Sequence, residues 1–257
     1  MAHNGLHFKF TTYQQALHDV GPVTWLIPHL IEEGGFMAIA GAPGSGKSFL
    51  ATDLAVSLAA GENWLDHPAF TPARKCKVLY LSPEGIRSTL GRIHEQFTRR
   101  NLDPESVDLL VSRDNLSGAK SEDYQALEDL EPDVIFVDTW SRAIPGVEEN
   151  SASQVNAIIA ELDYVRDVTG CAIIIVHHTT LEKARMRGTS ALKGAVDTEL
   201  LVEDFRAKGE GITMRVDKHK NAPEWLSPLP FDISPSPVVE GVGYAHLVPA
   251  TPQFGER

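Results

Sequence analysis

Phe36-Met37-Ala38-Ile39-Ala40-Gly41-Ala42-Pro43-Gly44-Ser45-Gly46-Lys47-Ser48 is the stretch on which the fold turns. Five apolar residues run into Gly41 to Ser48, an octet of the form G-x-x-x-x-G-K-[ST], and the helical run Phe49 to Ala60 follows without a break. In that context the glycines let successive backbone N–H groups converge on phosphate oxygens at a helix N-terminus. Lys47 then supplies a point charge to the β- and γ-phosphates, and the Ser48 hydroxyl can ligate Mg²⁺. The expected ligand is a nucleoside triphosphate held by Gly41, Ala42, Pro43, Gly44, Ser45, Gly46, Lys47, Ser48 and the adjoining Phe49.

On either side of this loop, short apolar runs alternate with longer amphipathic segments. Phe36 to Ala40, Lys77 to Leu81, Val107 to Val111, Asp133 to Asp138 and Cys171 to Val176 are dense enough in apolar residues for strands buried on both faces. Between the last two, Ser151 to Val168 carries Val155, Ile158, Ile159, Leu162 and Val165 at helical spacing, and Ser151 with Gln154 predicts a capping box. The fold class expected from this alternation is α/β, a mostly parallel sheet flanked by helices. Past residue 195, Thr198 to Val202 and Gly211 to Asp217, with Lys208-Gly209-Glu210-Gly211 between them, predict a β-hairpin that extends the sheet antiparallel. Prolines crowd the last thirty residues, so loops, a short terminal hairpin and a frayed tail are expected there. The expected division is an N-terminal arm over residues 1–22, an ATPase core over 23–225, and a C-terminal hairpin and tail over 226–257.

The 257 residues, 42% hydrophobic and 23% charged, suit one large folded domain and exclude a collagen-like or wholly disordered polymer. No apolar run approaches the roughly 20 residues of a membrane span. Met1 to Tyr13 has no apolar signal-peptide core, and the expected location is the cytoplasm, with no membrane partner. Cys76 and Cys171 adjoin apolar runs and read as reduced, buried thiols. A net charge of -12 argues against binding nucleic acid by general basicity, so any contact with DNA must be local.

A phosphate loop needs an acidic partner for its metal, and Val134-Ile135-Phe136-Val137-Asp138 ends an apolar strand in one carboxylate. Asp138 and Ser48 are the candidate metal residues. Thr139, not a glutamate, follows Asp138, so the base is sought elsewhere. Leu81-Ser82-Pro83-Glu84 places Glu84 at the C-terminal edge of the sheet, where it can orient or deprotonate water. Cys171 to Val176 ends in His177-His178 at that same edge, where a polar group can sense a γ-phosphate.

Together, Gly41 to Ser48, Leu81-Ser82-Pro83-Glu84, Val137-Asp138-Thr139, Glu148 to Ser153, Thr169-Gly170-Cys171 with His177-His178, and Arg187 to Leu192 resemble the RecA-like ATPases. Among these the chain is similar to the RepA-type hexameric replicative helicases of plasmids, a resemblance covering roughly Trp25 to Pro223. That resemblance implies ATP and Mg²⁺ as cofactors, a homo-oligomeric ring, hexameric in that family, and movement along single-stranded DNA. Under it His178, ahead of His177, looks like the sensor that links the γ-phosphate to a DNA loop. Lys183, Arg185 and Arg187, in a loop-like segment of an acidic chain, are the candidate DNA-binding residues. Arg215 to Asn221 resembles the strand end that carries two basic residues in RecA-like rings, which gives Lys218 and Lys220 as candidates to act on a neighbour's ATP. Asp197-Thr198-Glu199 lacks the arginine that the family pattern leads one to expect there. Two alternatives keep the same core: a phage-type recombinase or strand-annealing accessory, and a regulatory ATPase that binds protein and no DNA.

Overall fold

The computed structural model of the chain describes residues 10–115, 121–180, 186–208, 211–224, 228–235 and 245–249. A short helix α1 (Tyr13–Val20) stands on an N-cap in which Thr12 accepts from the Gln15 amide at 3.2 Å, and it buries none of its side chains. A two-stranded ribbon, β1 (Trp25–Ile27) and β2 (Ile31–Glu32), leads into β3 (Phe36–Gly41) and helix α2 (Lys47–Ala60). Then follow β4 (Val78–Leu81), α3 (Ile86–Arg99), β5 (Leu109–Ser112), α4 (Ser121–Leu130), β6 (Val134–Asp138), the one-turn α5 (Trp140–Ala143), α6 (Ala152–Thr169), β7 (Ala172–His178) and α7 (Ser190–Ala195). The chain continues through β8 (Thr198–Asp204), β9 (Ile212–His219), β10 (Leu229–Pro235) and β11 (Ala245–Pro249).

Nine of the strands form one sheet in the order β11-β10-β9-β8-β3-β7-β6-β4-β5. Strands β8, β3, β7, β6, β4 and β5 run parallel, and β9, β10 and β11 extend the sheet by antiparallel pairing. This is the expected α/β architecture with its antiparallel extension. All six residues of β3 are buried. Met37 and Ile39 pack towards α2, while Phe36, Ala38 and Ala40 face α5, α6 and α7 on the other side. The stripe of α6, Val155, Ile158, Ile159, Leu162 and Val165, is buried as its spacing requires.

Two local expectations are corrected. The capping box at α6 does not form: Ser151 is the N-cap but makes no side-chain cap, because Gln154 Oε1 is taken up by the Glu148 amide at 2.8 Å. The run Val107 to Val111 is not buried on both faces; β5 starts at Leu109 and is the sheet edge, paired with β4 alone, so its side chains are half-exposed. The expected terminal hairpin is present as β10 and β11, and it joins the antiparallel extension. Phe231 pairs with Ile212 of β9, which makes β10 and β11 part of the main sheet. Cys76 and Cys171 are buried free thiols.

One buried ion pair fastens α2 to the end of α3. Arg100 Nη2 lies 2.6 Å from Asp53 Oδ1, both side chains almost fully enclosed. Burial pushes the Asp53 carboxyl up, and Arg100 opposes that shift. Removing one partner of such a pair strands a charge in the interior. Arg100→Met is expected to lower the unfolding free energy by about 3 kcal/mol in urea titrations; unchanged stability would show that the pair contributes nothing net.

Candidate nucleotide site

The loop after β3 is shaped by two glycines. A Cβ on Gly41 would lie 2.5 Å from the Val202 carbonyl oxygen and 2.7 Å from Ser45 Oγ, so only glycine lets β3 approach β8 there. Gly46, at φ +90, is the residue from which α2 starts, and no side chain caps that helix. Its leading amides are therefore directed at the loop, where an anion can accept from them.

Lys47 is buried, and its Nζ donates to the Ala42 carbonyl at 2.6 Å. Desolvation lowers its pKa to about 8, partly countered by the Asp138 charge. Ser48 Oγ donates to Asp138 Oδ1 at 3.0 Å, and Tyr80 OH donates to Asp138 Oδ2 at 2.8 Å. Burial pushes the Asp138 carboxyl up, while these two donors hold it down. The strand register places this group directly: Asp138 pairs with Val176, and Gly41 pairs with His178, so the ends of β3, β7 and β6 meet at the loop.

A cleft of about 350 Å³ opens here, lined by Lys47, Ser48, Phe49, Arg92, Thr139, His178, Arg206 and Ile233 together with Gly44 and Gly46. His178 thus sits in the cleft, with its pKa lowered by burial and then by Lys47. His177 points to the opposite face of β7, where its Nε2 is 2.9 Å from the Arg187 carbonyl. Glu84 lies beside the cleft: Thr139 Oγ1 donates to its Oε2 at 3.4 Å, and Arg142 Nε is 3.3 Å from its Oε1.

Arg187 donates its amide to the His178 carbonyl at 2.8 Å, and Met186 bridges to Thr179, so the segment that leaves β7 returns beside it. The Arg187 guanidinium is 65% exposed and 3.7 Å from Glu149. Lys183 and Arg185 lie outside the described residues.

Lys218 and Lys220 are not near this loop. His219 pairs with Thr198 and Thr198 with Met37, which puts both lysines at the opposite end of β3. Lys218 Nζ donates to the Lys193 and Val196 carbonyls at 2.6 Å, and Lys220 Nζ binds Asp197 Oδ1 at 2.7 Å. They cap the end of α7, and neither reaches its own chain's phosphate loop.

Two side chains of the cleft, Arg92 and Arg206, and one enclosed behind it, Tyr80, escape a reading of motifs. Tyr80 lies four residues before Glu84 in an apolar strand. Arg92 stacks over Phe49 at 4.8 Å. Arg206 donates to the Gly44 carbonyl at 3.0 Å and grips both oxygens of Asp204 at 2.9 and 2.7 Å. The signal for Arg206 was the pairing of β8 with the phosphate-loop strand, which places its exit at the cleft.

A protein-family model described as an AAA domain matches residues 3–184. The chain belongs to that family. Its core is a RecA-like P-loop ATPase core. DNA repair protein RadA of Streptococcus pneumoniae (strain ATCC BAA-255 / R6) is 29% identical over 177 residues, which is 67% of this chain. The chain spans 36% of that protein's length.

The donors of this AAA domain suit Mg²⁺. Ser48 and Asp138 offer hard oxygens, and Mg²⁺ is commonly held by one or two protein groups with nucleotide phosphates and water completing its shell. Among the described residues no cluster of three His, Cys, Asp or Glu could hold a metal by itself.

The depressed Lys47 pKa has a direct consequence. Above about 8 the side chain loses the charge that attracts phosphate, so binding must take up a proton. ADP affinity measured without divalent metal is expected to fall about tenfold from pH 7 to pH 9, and Lys47→Arg to remove that dependence. A flat wild-type profile would contradict the assignment.

Proposed function

We propose that this protein is a Mg²⁺-dependent ATPase that works as a homo-oligomeric ring on single-stranded DNA, with replicative helicase action as the first reading. The observation that carries the DNA part is the junction at the end of β7. His178 faces the nucleotide cleft, and its carbonyl accepts from the amide of Arg187, one of the three basic residues assigned to DNA. Whether a γ-phosphate occupies the cleft can thereby be passed to a basic loop through a single strand end. A local basic loop also reconciles DNA with a net charge of -12.

In this reading Lys47 and the α2 amides neutralise the phosphates, while Ser48 and Asp138 hold the metal, which withdraws charge from the phosphate oxygens when bound. Glu84 turns from Arg142 to the attacking water; that exposed pair is worth at most about 1 kcal/mol and gives way readily. Lys218 and Lys220, remote from their own loop, serve a neighbouring subunit's nucleotide, once released from the end of α7.

A second reading, a RecA-like recombination or annealing accessory, is favoured by similarity to a protein named for DNA repair. ATPase rate with and without single-stranded DNA, paired with the mass of the assembly, separates the readings: a DNA-stimulated closed ring supports the first, filaments on DNA the second, and an ATPase indifferent to DNA neither. In the same assay Glu84→Gln is expected to bind nucleotide yet turn over on the order of 10² to 10⁴ slower. Replacing Lys183, Arg185 and Arg187 with alanine should weaken DNA binding and flatten its salt dependence with basal rate retained. Unchanged affinity in that variant would remove the loop from the DNA interface.

Mixing checks the trans role. Lys47→Ala subunits and Lys218→Ala/Lys220→Ala subunits are each expected to be inactive, and a mixture to regain part of the rate. An active double lysine variant, or mixed assemblies that regain nothing, would contradict it.

A further inference from the structure

Tyr80 stands in the middle of β4, in the fully buried run Val78 to Leu81, and is wholly enclosed. Its ring lies flat on Phe136 at 5.4 Å, the residue with which it is in register on β6. A phenol in such a place is costly unless its hydroxyl finds a partner. Most of the surrounding core is aliphatic or aromatic, and an ordinary sheet interior would fill this position with phenylalanine. The hydroxyl instead reaches along β6, past Val137, to the carboxylate of Asp138 at 2.8 Å. Asp138 has one oxygen for each of two donors: Oδ1 takes Ser48, from the first turn of α2, and Oδ2 takes Tyr80, from the sheet.

The two donors differ in what they can do. Ser48 lines the cleft, and its hydroxyl oxygen keeps lone pairs for a cation while its proton is given to Asp138. Tyr80 is wholly enclosed, and among the described residues its hydroxyl donates to Asp138 alone. Its grip on Oδ2 is therefore independent of the cleft's occupancy and fixes the carboxylate with Oδ1 towards Ser48. Groups that orient a metal's protein ligands in this way typically change metal affinity by about 10 to 100-fold when removed.

We propose that Tyr80 is the positioning residue for the divalent cation of this site, holding Asp138 by Oδ2 from within the sheet so that Oδ1 and the Ser48 hydroxyl are presented together. The proposal rests on the Mg²⁺–nucleotide reading of the cleft. It assigns to the phenol a metal-dependent role that a merely space-filling aromatic would not have.

Tyr80→Phe keeps the ring and its stacking and deletes the one hydroxyl. Affinity for a methylanthraniloyl-labelled ADP is measured across a Mg²⁺ titration and again in EDTA, with urea unfolding run on the same samples. The Mg²⁺ concentration for half-maximal tightening is expected to rise about 10 to 100-fold in Tyr80→Phe, while affinity in EDTA stays within about twofold of wild type. In an Asp138→Asn background the same substitution is expected to shift the Mg²⁺ dependence no further, since the group it positions is already gone. A Mg²⁺ midpoint unchanged by Tyr80→Phe overturns the proposal whatever happens to stability. So does an equal loss of affinity with and without Mg²⁺, or a shift that persists in the Asp138→Asn background. A wild-type protein that binds the labelled ADP with no help from Mg²⁺ overturns the reading of the cleft as well, which distinguishes the two failures.

Discussion

Burial of β3 on both faces is the constraint from which the rest of the molecule follows. A strand of six enclosed residues can lie only between two other strands and two layers of helix, and β7 and β8 take the flanking places in parallel register. Parallel neighbours bring their C-terminal ends to one edge, so the exits of β3, β7 and β8 open side by side. Gly41, His178 and Arg206 belong to three separate stretches of sequence and meet around one cleft for that reason. The same rule sends the far end of the antiparallel β9, with Lys218 and Lys220, to the opposite end of the strands.

Charge is distributed on two scales in this acidic chain. Among the described residues, buried charges lie against named partners: Asp53 with Arg100 between helices, Glu199 with Lys193, Asp138 with its two donors, Lys47 with a loop carbonyl. These groups cannot be exchanged without leaving a charge or donor stranded. Exposed pairs such as Glu84 with Arg142 and Arg187 with Glu149 are weakly held and screened by salt. The division matches the work proposed for each set. What must remain in place is enclosed, and what must turn towards water or DNA is on the surface.

Much of this is legible in the sequence. The apolar runs and the helical stripe of α6 located the strands and the crossover because burial imposes period and composition directly on sequence. The phosphate loop was legible because glycine, lysine and serine are required there by geometry. The errors arose where a neighbour decides. Val107 to Val111 has the composition of an interior strand, yet strand order puts it at the edge, and order is a property of the whole sheet. Ser151 and Gln154 have the right spacing for a capping box, yet Gln154 finds the Glu148 amide first. Tyr80 and Arg206 match no local pattern; cross-strand pairing alone brings them to the site, and composition does not encode that pairing.

The central claim is that Lys47, Ser48 and Asp138 form a Mg²⁺–nucleotide site at the end of β3. A crystal structure with Mg²⁺ and a non-hydrolysable ATP analogue tests it most directly. The account predicts the phosphates on the α2 amides beside Lys47, with the metal on the Ser48 side of Asp138 and His178 facing the terminal phosphate. Nucleotide bound elsewhere, or phosphates in the loop with the metal away from both Ser48 and Asp138, would contradict it.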